Sequence, residues 1–297
     1  MKKALLFGVL SSLFFAATFV LNTSMNLSGG NFLWSATLRY FFMFLILSCL
    51  LIKGGRIQKV VLHIKKNPIQ WLLYSTIGFG FFYAPLTFAS NYGQSWLVAG
   101  CWQITIVAGI LLTPLFGKKI PLKSLLLSLL ILIGVFVIQL EQASELSIKQ
   151  ALLSILPILV AAFSYPFGNR KMMEVCKEEL STMERVYGMT LCSMPFWLLL
   201  SIFAYQISGL PSSSQVMQSF IVAVFSGVIA TILFFKATEL VRTKPHQLAI
   251  VEATQAGEVI FSIIGEVLLL GGAIPTPIGM IGLSLIVLGM ILGSIFS

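Results

Sequence analysis

Three glutamates interrupt an apolar run between Gln247 and Leu270: Glu252, Glu258 and Glu266. On a helix turning about 100° per residue, all three fall with Gln255 and Ser262 inside one arc of roughly 120°. Val251 and Val259 share that arc, so it is mixed rather than purely polar. An ionisable side chain in hydrocarbon costs about 2.5–3.5 kcal/mol on insertion scales. The arc is therefore expected to face protein or a wet cavity. A carboxylate held there binds a cation, or a proton exchanged against one. Glu258 lies ~16 Å from the inner end of the run at ~1.5 Å per residue, near a bilayer midplane. Glu252 shares that chemistry. The alternative for either is a structural pair with a buried cation such as Arg39 or Lys236.

Other residues could join such a site. Trp102-Gln103 sits in the middle of its own apolar run; an indole face holds an organic cation and an amide orients it. Arg39-Tyr40 could hold an anionic group or neutralise a carboxylate. Tyr165 and Asn169 could form a gate, and Asn22 could line a cavity. Lys236 and Glu239, three residues apart, make a local pair with a snorkelling lysine. Pro85, Pro157 and Pro195 mark kinks, and Gly78, Gly80, Gly227 and Gly257 allow close helix packing. The four cysteines show no CxxC or metal spacing, and HExxH, GxSxG and Walker A patterns are absent. No metal or cofactor is implied, and an enzyme is not expected.

The elements that must position these residues follow from composition. The chain is 58% hydrophobic and only 10% charged, against roughly 25% charged in a soluble domain. It needs lipid around it. Apolar runs near ~20 residues, the length that crosses ~30 Å of hydrocarbon, cover 4–22, 32–52, 71–90, 95–116, 122–140, 148–169, 185–207, 217–240, 247–270 and 275–296. Each is expected to be helical, because backbone groups find no water there. No A-x-A site follows the first run, so it is a span and not a cleaved leader. Trp34, Trp71 and Trp96 stand at span starts as interface anchors.

Of the nineteen lysines and arginines, sixteen fall in segments that share a side with the N-terminus; Lys149 alone falls in the opposite loops, and Arg39 and Lys236 lie within spans. This bias orients both termini inward, in the cytoplasm, with the short loops 141–147 and 208–216 outside. The net charge of +9 is then topological and implies no nucleic-acid partner.

Two halves, 1–143 and 144–297, resemble each other. Thr37-Leu38-Arg39-Tyr40 parallels Met183-Glu184-Arg185-Val186. Ile120-Pro121 followed by Gly134-Val135 parallels Ile274-Pro275 followed by Gly289-Met290. Asn22 and Asn169 end the first and sixth spans. With five spans per half, the second copy enters from the opposite side, giving an inverted repeat whose sites lie near the midplane between the halves.

Glu252-Ala253-Thr254-Gln255, Gly265-Glu266-Val267-Leu268-Leu269-Leu270, Pro275-Thr276-Pro277, Gly282 and Gly289 together look like the end of an EamA-type half. So does the stretch 95–138. The whole chain resembles the ten-helix branch of the drug/metabolite transporter superfamily. Trp34–Tyr40 and Trp96–Gly109 look closest to its multidrug resistance efflux transporter group. The resemblance implies a central cavity lined by the first, second, fourth, sixth, seventh and ninth spans. Lys118 and Gly272 stand near points where typical members carry a glutamate. The first and sixth spans hold no acid, whereas small four-helix relatives carry theirs in the first.

The expectation is an all-α secondary transporter of a bacterial-type inner membrane, a monomer or homodimer, working by alternating access. It would export a hydrophobic or cationic compound in exchange for protons. The alternative cargo is an amino acid or other small metabolite, its carboxylate held by Arg39. A channel or a lipid-modifying membrane enzyme is the alternative of another class; the inverted repeat speaks against the channel, and no nucleophile or acid/base cluster at an interface supports the enzyme.

Overall fold

The computed structural model describes residues 1–145, 148–177 and 179–296, and among them the chain is helical with no strand. The helices in order are α1 (Lys2–Leu27), α2 (Phe32–Leu51), α3 (Arg56–Lys66), α4 (Pro68–Ala89), α5 (Ser95–Leu111), α6 (Leu122–Glu145), α7 (Ile148–Cys176), α8 (Thr182–Ser208), α9 (Ser213–Glu239), α10 (Pro245–Leu270) and α11 (Pro277–Phe296). Among the described residues, α1, α2, α4, α7, α8, α9 and α10 are long and apolar enough to cross a membrane. The apolar stretches in α5, α6 and α11 are shorter: Ser95–Leu111, Leu125–Ile138 and Pro277–Leu292. Large apolar side chains such as Leu6, Leu45, Leu126, Phe136, Ile202 and Leu268 are exposed, while polar ones such as Ser226, Asn22, Asn169, Glu252, Glu258 and Glu266 are buried. A water-soluble domain has the reverse arrangement. This is a multi-pass membrane protein.

Several boundaries differ from those expected. Asn22 and Asn169 do not end helices; α1 continues to Leu27 and α7 to Cys176. Their amides bond other helices, Asn22 to the Tyr83 hydroxyl (3.2 Å) and Asn169 to Thr238 (3.3 Å), so they do not compete for their own backbone. The α1 helix stops at Ser28–Gly29, where Gly29 takes φ 78°, a conformation that favours glycine. The longer α7 carries Arg170 into the helix and buries it, as Arg185 is buried in α8. Neither is a surface charge. The outer loop expected at 141–147 runs into positions 146 and 147, which lie outside the described residues.

The polar stretch 53–70 is not a plain loop. It contains α3, which buries Val60 and His63 and packs against α8. Trp71 is fully buried beneath it and donates its indole N–H to His63 Nδ1 (3.0 Å). That bond requires an unprotonated nitrogen, and burial pushes the imidazole below its ordinary pKa against a smaller opposing pull from Glu179. Trp34 and Trp96 are also buried, Trp34 bonding the Gly209 carbonyl (2.8 Å). The three tryptophans thus pack against protein rather than anchor in lipid.

The main core draws on all eleven helices, with Val60 of α3, Ile131 and Ile138 of α6, Ala253 and Val259 of α10 and Ile286 of α11 among its members. The α1 helix packs on α9 and α10, and α7 packs on α4 and α5; α2 meets α8, α5 meets α10, and α6 meets α11. Four helices are irregular where they meet the centre. The α4 helix widens to a π-turn over Thr76–Gly80, and α9 does so over Ala223–Ala230. The α5 helix breaks at Gln103, and α10 narrows to a 3₁₀ turn at Thr254–Ala256. Such breaks in apolar helices are tolerated only where protein surrounds them.

The α4–α7 crossing depends on Gly78 and Gly168. A Cβ at Gly78 would stand 3.0 Å from the Gly168 Cα, so the backbones touch with nothing between them. Gly78→Leu is expected to destabilise the protein by about 1–3 kcal/mol, read as a lower unfolding temperature in detergent; an unchanged temperature would show that the crossing is not tight.

Candidate functional site

The α10 helix presents its polar residues inward. Glu252, Gln255, Glu258, Ser262 and Glu266 are all buried, whereas Ile260, Ile264 and Leu268 face outward. The three glutamates have three different environments.

Glu258 lies at the centre. Its side chain is 1% exposed, and among the described residues neither carboxylate oxygen accepts a hydrogen bond of good geometry. The Trp102 indole is a neighbouring donor but falls short of hydrogen-bond geometry. The carboxylate borders a small cavity together with Gln255, Trp102, Tyr165, Ser226 and Thr18, with Phe15, Phe19, Phe82 and Leu86 completing the wall. The space measures ≈ 10 Å³, room for about one water molecule. Tyr165 packs among Phe82 (4.5 Å between centroids), Trp102 (5.9 Å) and Phe234 (5.8 Å), and its hydroxyl also lacks a partner. The breaks in α5 and α10 put Trp102 and Gln255 here; each lies at or beside an interruption.

Arg39 reaches the same region from α2. Its Nη2 donates to the Ser226 hydroxyl (3.1 Å), which also receives the Thr18 hydroxyl (2.5 Å). Its guanidinium lies 3.8 Å from the Tyr83 ring centroid. Nε and Nη1 have no partner, and Arg39 forms no ion pair with Glu258 among the described residues. Ser226 went unnoticed in the sequence, because a lone serine in an apolar helix gives no signal of what it bonds. Tyr40 stacks on Trp197 (4.2 Å, 12°) and donates to the Phe79 carbonyl (3.4 Å), outside the cavity. Gln103 is buried, donates to the Ala99 carbonyl (2.9 Å) and keeps an unpartnered oxygen, but it does not line the cavity either.

The other two glutamates are occupied. Glu252 is held by Arg170, whose Nη2 lies 2.8 and 2.7 Å from its two oxygens while Nη1 donates to the Gly109 carbonyl (2.6 Å). This arrangement ties α10 to α7 and α5 at one end. The partner is neither Arg39 nor Lys236. Met172, Met173 and Cys176 keep an apolar face going past Arg170, and that continuation is the signal that the arginine lies inside the helix. Glu266 caps the start of α5 at the other end, accepting from the Ser95 N–H (2.9 Å) and its hydroxyl. A carboxylate at a helix N-terminus satisfies orphan donors there. Asn169, beside Arg170, bonds Thr238 of α9. Lys236 and Glu239 form the expected local pair (3.3 Å), and Glu239 also meets Arg185 (3.6 Å).

The profile of the family described as "EmrE: Putative multidrug resistance efflux transporter" matches residues 2–297. The chain belongs to this family of the drug/metabolite transporter superfamily. It is 51% identical over 303 residues to the uncharacterized protein YjlA of Bacillus subtilis, covering 98% of this chain and 94% of that one. It is 45% identical over 266 residues to an uncharacterized 42.1 kDa protein of Shouchella clausii, covering 86% and 70%. A solved structure titled only "Crystal structure of protein" shares the fold, with TM-score 0.66 at 14% identity over 98% of this chain and 96% of that one. Members of the family are membrane transporters, not enzymes, and the family points to efflux of a small molecule.

Breaking a buried ion pair from one side leaves an uncompensated charge. Glu252→Gln is expected to cost about 3–5 kcal/mol, while Glu252→Leu with Arg170→Met recovers most of that loss. Thermal unfolding of the three proteins checks this; equal losses in the single and double variants would mean that the pair does not hold α10 in place.

Proposed function

We propose that the protein is a secondary exporter working by alternating access, with Glu258 as the site that a proton and a cationic or hydrophobic cargo occupy in turn. The observation that carries this reading is the Glu258 carboxylate, buried at the centre of α10 with the Trp102 indole as a neighbouring donor and no cation paired with it among the described residues. An unpaired charge is costly there, so the carboxylate needs a proton or a cation. The surrounding Trp102, Tyr165, Phe15, Phe19 and Phe82 suit an organic cation, whose charge is attracted by ring faces.

The ten spans are read as two inverted halves, 1–143 and 144–297. Packing supports this: exchanging α1 with α7, α2 with α8, α4 with α9, α5 with α10 and α6 with α11 maps the most extensive helix contacts onto one another. The π-turns of α4 and α9 exchange, as do the interruptions at Gln103 and Thr254–Ala256. Arg39 over Tyr83 and Arg185 over Phe235 (5.4 Å) exchange as well. Two near-equivalent halves permit two near-equal states, open to either side. The distribution of lysine and arginine supports an orientation with both termini cytoplasmic.

A second reading follows from the unpartnered Nε and Nη1 of Arg39. A cargo with a carboxylate, such as an amino acid, would satisfy them while its amine meets Glu258. Proteoliposomes with an imposed pH gradient separate the two, using tetraphenylphosphonium and a panel of amino acids. Losing a charged contact worth about 1.5–3 kcal/mol, Glu258→Gln is expected to lower proton-driven flux roughly ten- to a hundredfold; unchanged flux with unchanged pH dependence would end the coupling proposal. Selective loss of amino-acid flux in Arg39→Ala, with cation flux kept, would establish the second reading over the first.

A further inference from the structure

A pocket of ≈ 410 Å³ lies where the connections that follow α5, α7 and α9 meet. Lys118 comes from the first connection, Lys177 from the second and Arg242 from the third, and Arg170 joins them from the last turns of α7. Glu174, the one acid among the described residues that line it, is already paired with Lys171 (2.9 Å). Phe116, Met173 and Leu248 supply an apolar wall. Arg170 is 7% exposed and keeps an unpartnered Nε beside the pocket it lines.

A charge bias toward the cytoplasm accounts for lysines and arginines on this side. It does not account for their convergence, from three separate connections in both halves of the chain, on one cavity with an apolar wall. The volume fits an organic ligand, since such pockets run about 300–1,000 Å³. The charge and the wall together select its chemistry: a negative group joined to an apolar body. Basic pockets between membrane helices on this face suit acidic lipid headgroups.

We propose that this pocket is a binding site for an amphipathic anion, an acidic phospholipid or a soluble alkyl phosphate or carboxylate. Such a ligand bridges the ends of α5, α7 and α10 directly over the Arg170–Glu252 pair. Lys118 already begins that bridge by donating to the Arg242 carbonyl (3.1 Å). The ligand therefore stabilises the form in which these ends are closed. Binding itself is independent of what Glu258 does; only the effect on transport rests on the alternating-access reading.

The test is binding to the purified full chain, by native mass spectrometry and by the shift in unfolding temperature. Phosphatidylglycerol is compared with phosphatidylcholine, and dodecyl phosphate with inorganic phosphate. A pocket variant carries Lys118→Gln, Lys177→Gln and Arg242→Gln. A charge-matched control carries Lys2→Gln, Lys53→Gln and Lys65→Gln, all exposed and outside the pocket. Wild type and control should bind phosphatidylglycerol or dodecyl phosphate in preference to the neutral lipid and to inorganic phosphate. The pocket variant should bind on the order of a hundredfold more weakly, while still unfolding in a single cooperative transition in phosphatidylcholine. Preference for the phospholipid over dodecyl phosphate would identify the membrane as the source, and equal binding of dodecyl phosphate a soluble one. Equal loss in the control, undiminished binding in the pocket variant, or no preference for anions in wild type would each overturn the proposal.

Discussion

A buried carboxylate with no paired cation among the described residues, set in a small aromatic chamber, is the constraint around which this molecule is arranged. Glu258 is buried at the middle of α10, and the space beside it is large enough for about one water molecule. Most buried acids in native proteins are paired or hydrogen-bonded because leaving them otherwise is costly. In this chain the acids above and below Glu258 on the same helix are satisfied and it is not. On the proposed reading, that carboxylate is the group that a proton or a cation satisfies.

The two occupied glutamates give the chamber its closure. Glu252 lies ~9 Å from Glu258 along the helix axis and Glu266 ~12 Å away in the other direction, at ~1.5 Å per residue. One is tied to Arg170 of α7 and the other to the first residue of α5. A single helix thus carries a fastening at each end and the proposed site between. On the proposed reading, cargo passes when one fastening opens while the other holds. The break at Thr254–Ala256 lies between Glu252 and Glu258 and would let the two parts of α10 move separately. The basic pocket over the Arg170–Glu252 end would bias one of those openings.

The sequence made the apolar helices and the inward polar arc of α10 legible, because hydropathy and a 3.6-residue period act along one segment. It placed Glu258, Gln255, Trp102 and Tyr165 among the candidates, and these four do share the cavity. What it hid were partners supplied by other helices. Arg170 read as a loop charge because its span was ended at Asn169, although that amide serves a neighbouring helix. Ser226 and Thr18 carried no signal, since small hydroxyls are inexpensive in apolar helices. The amphipathic α3 was concealed within a stretch notable for its positive charge.

The central claim is that one carboxyl receives proton and cation in turn, and proton release on cargo binding tests it most directly. Detergent-solubilised protein in weak buffer is titrated with tetraphenylphosphonium while a pH dye counts released protons. About one proton per bound cation is expected in the wild type and none in Glu258→Gln. Cation binding without proton release in the wild type, or undiminished release in Glu258→Gln, would contradict the account.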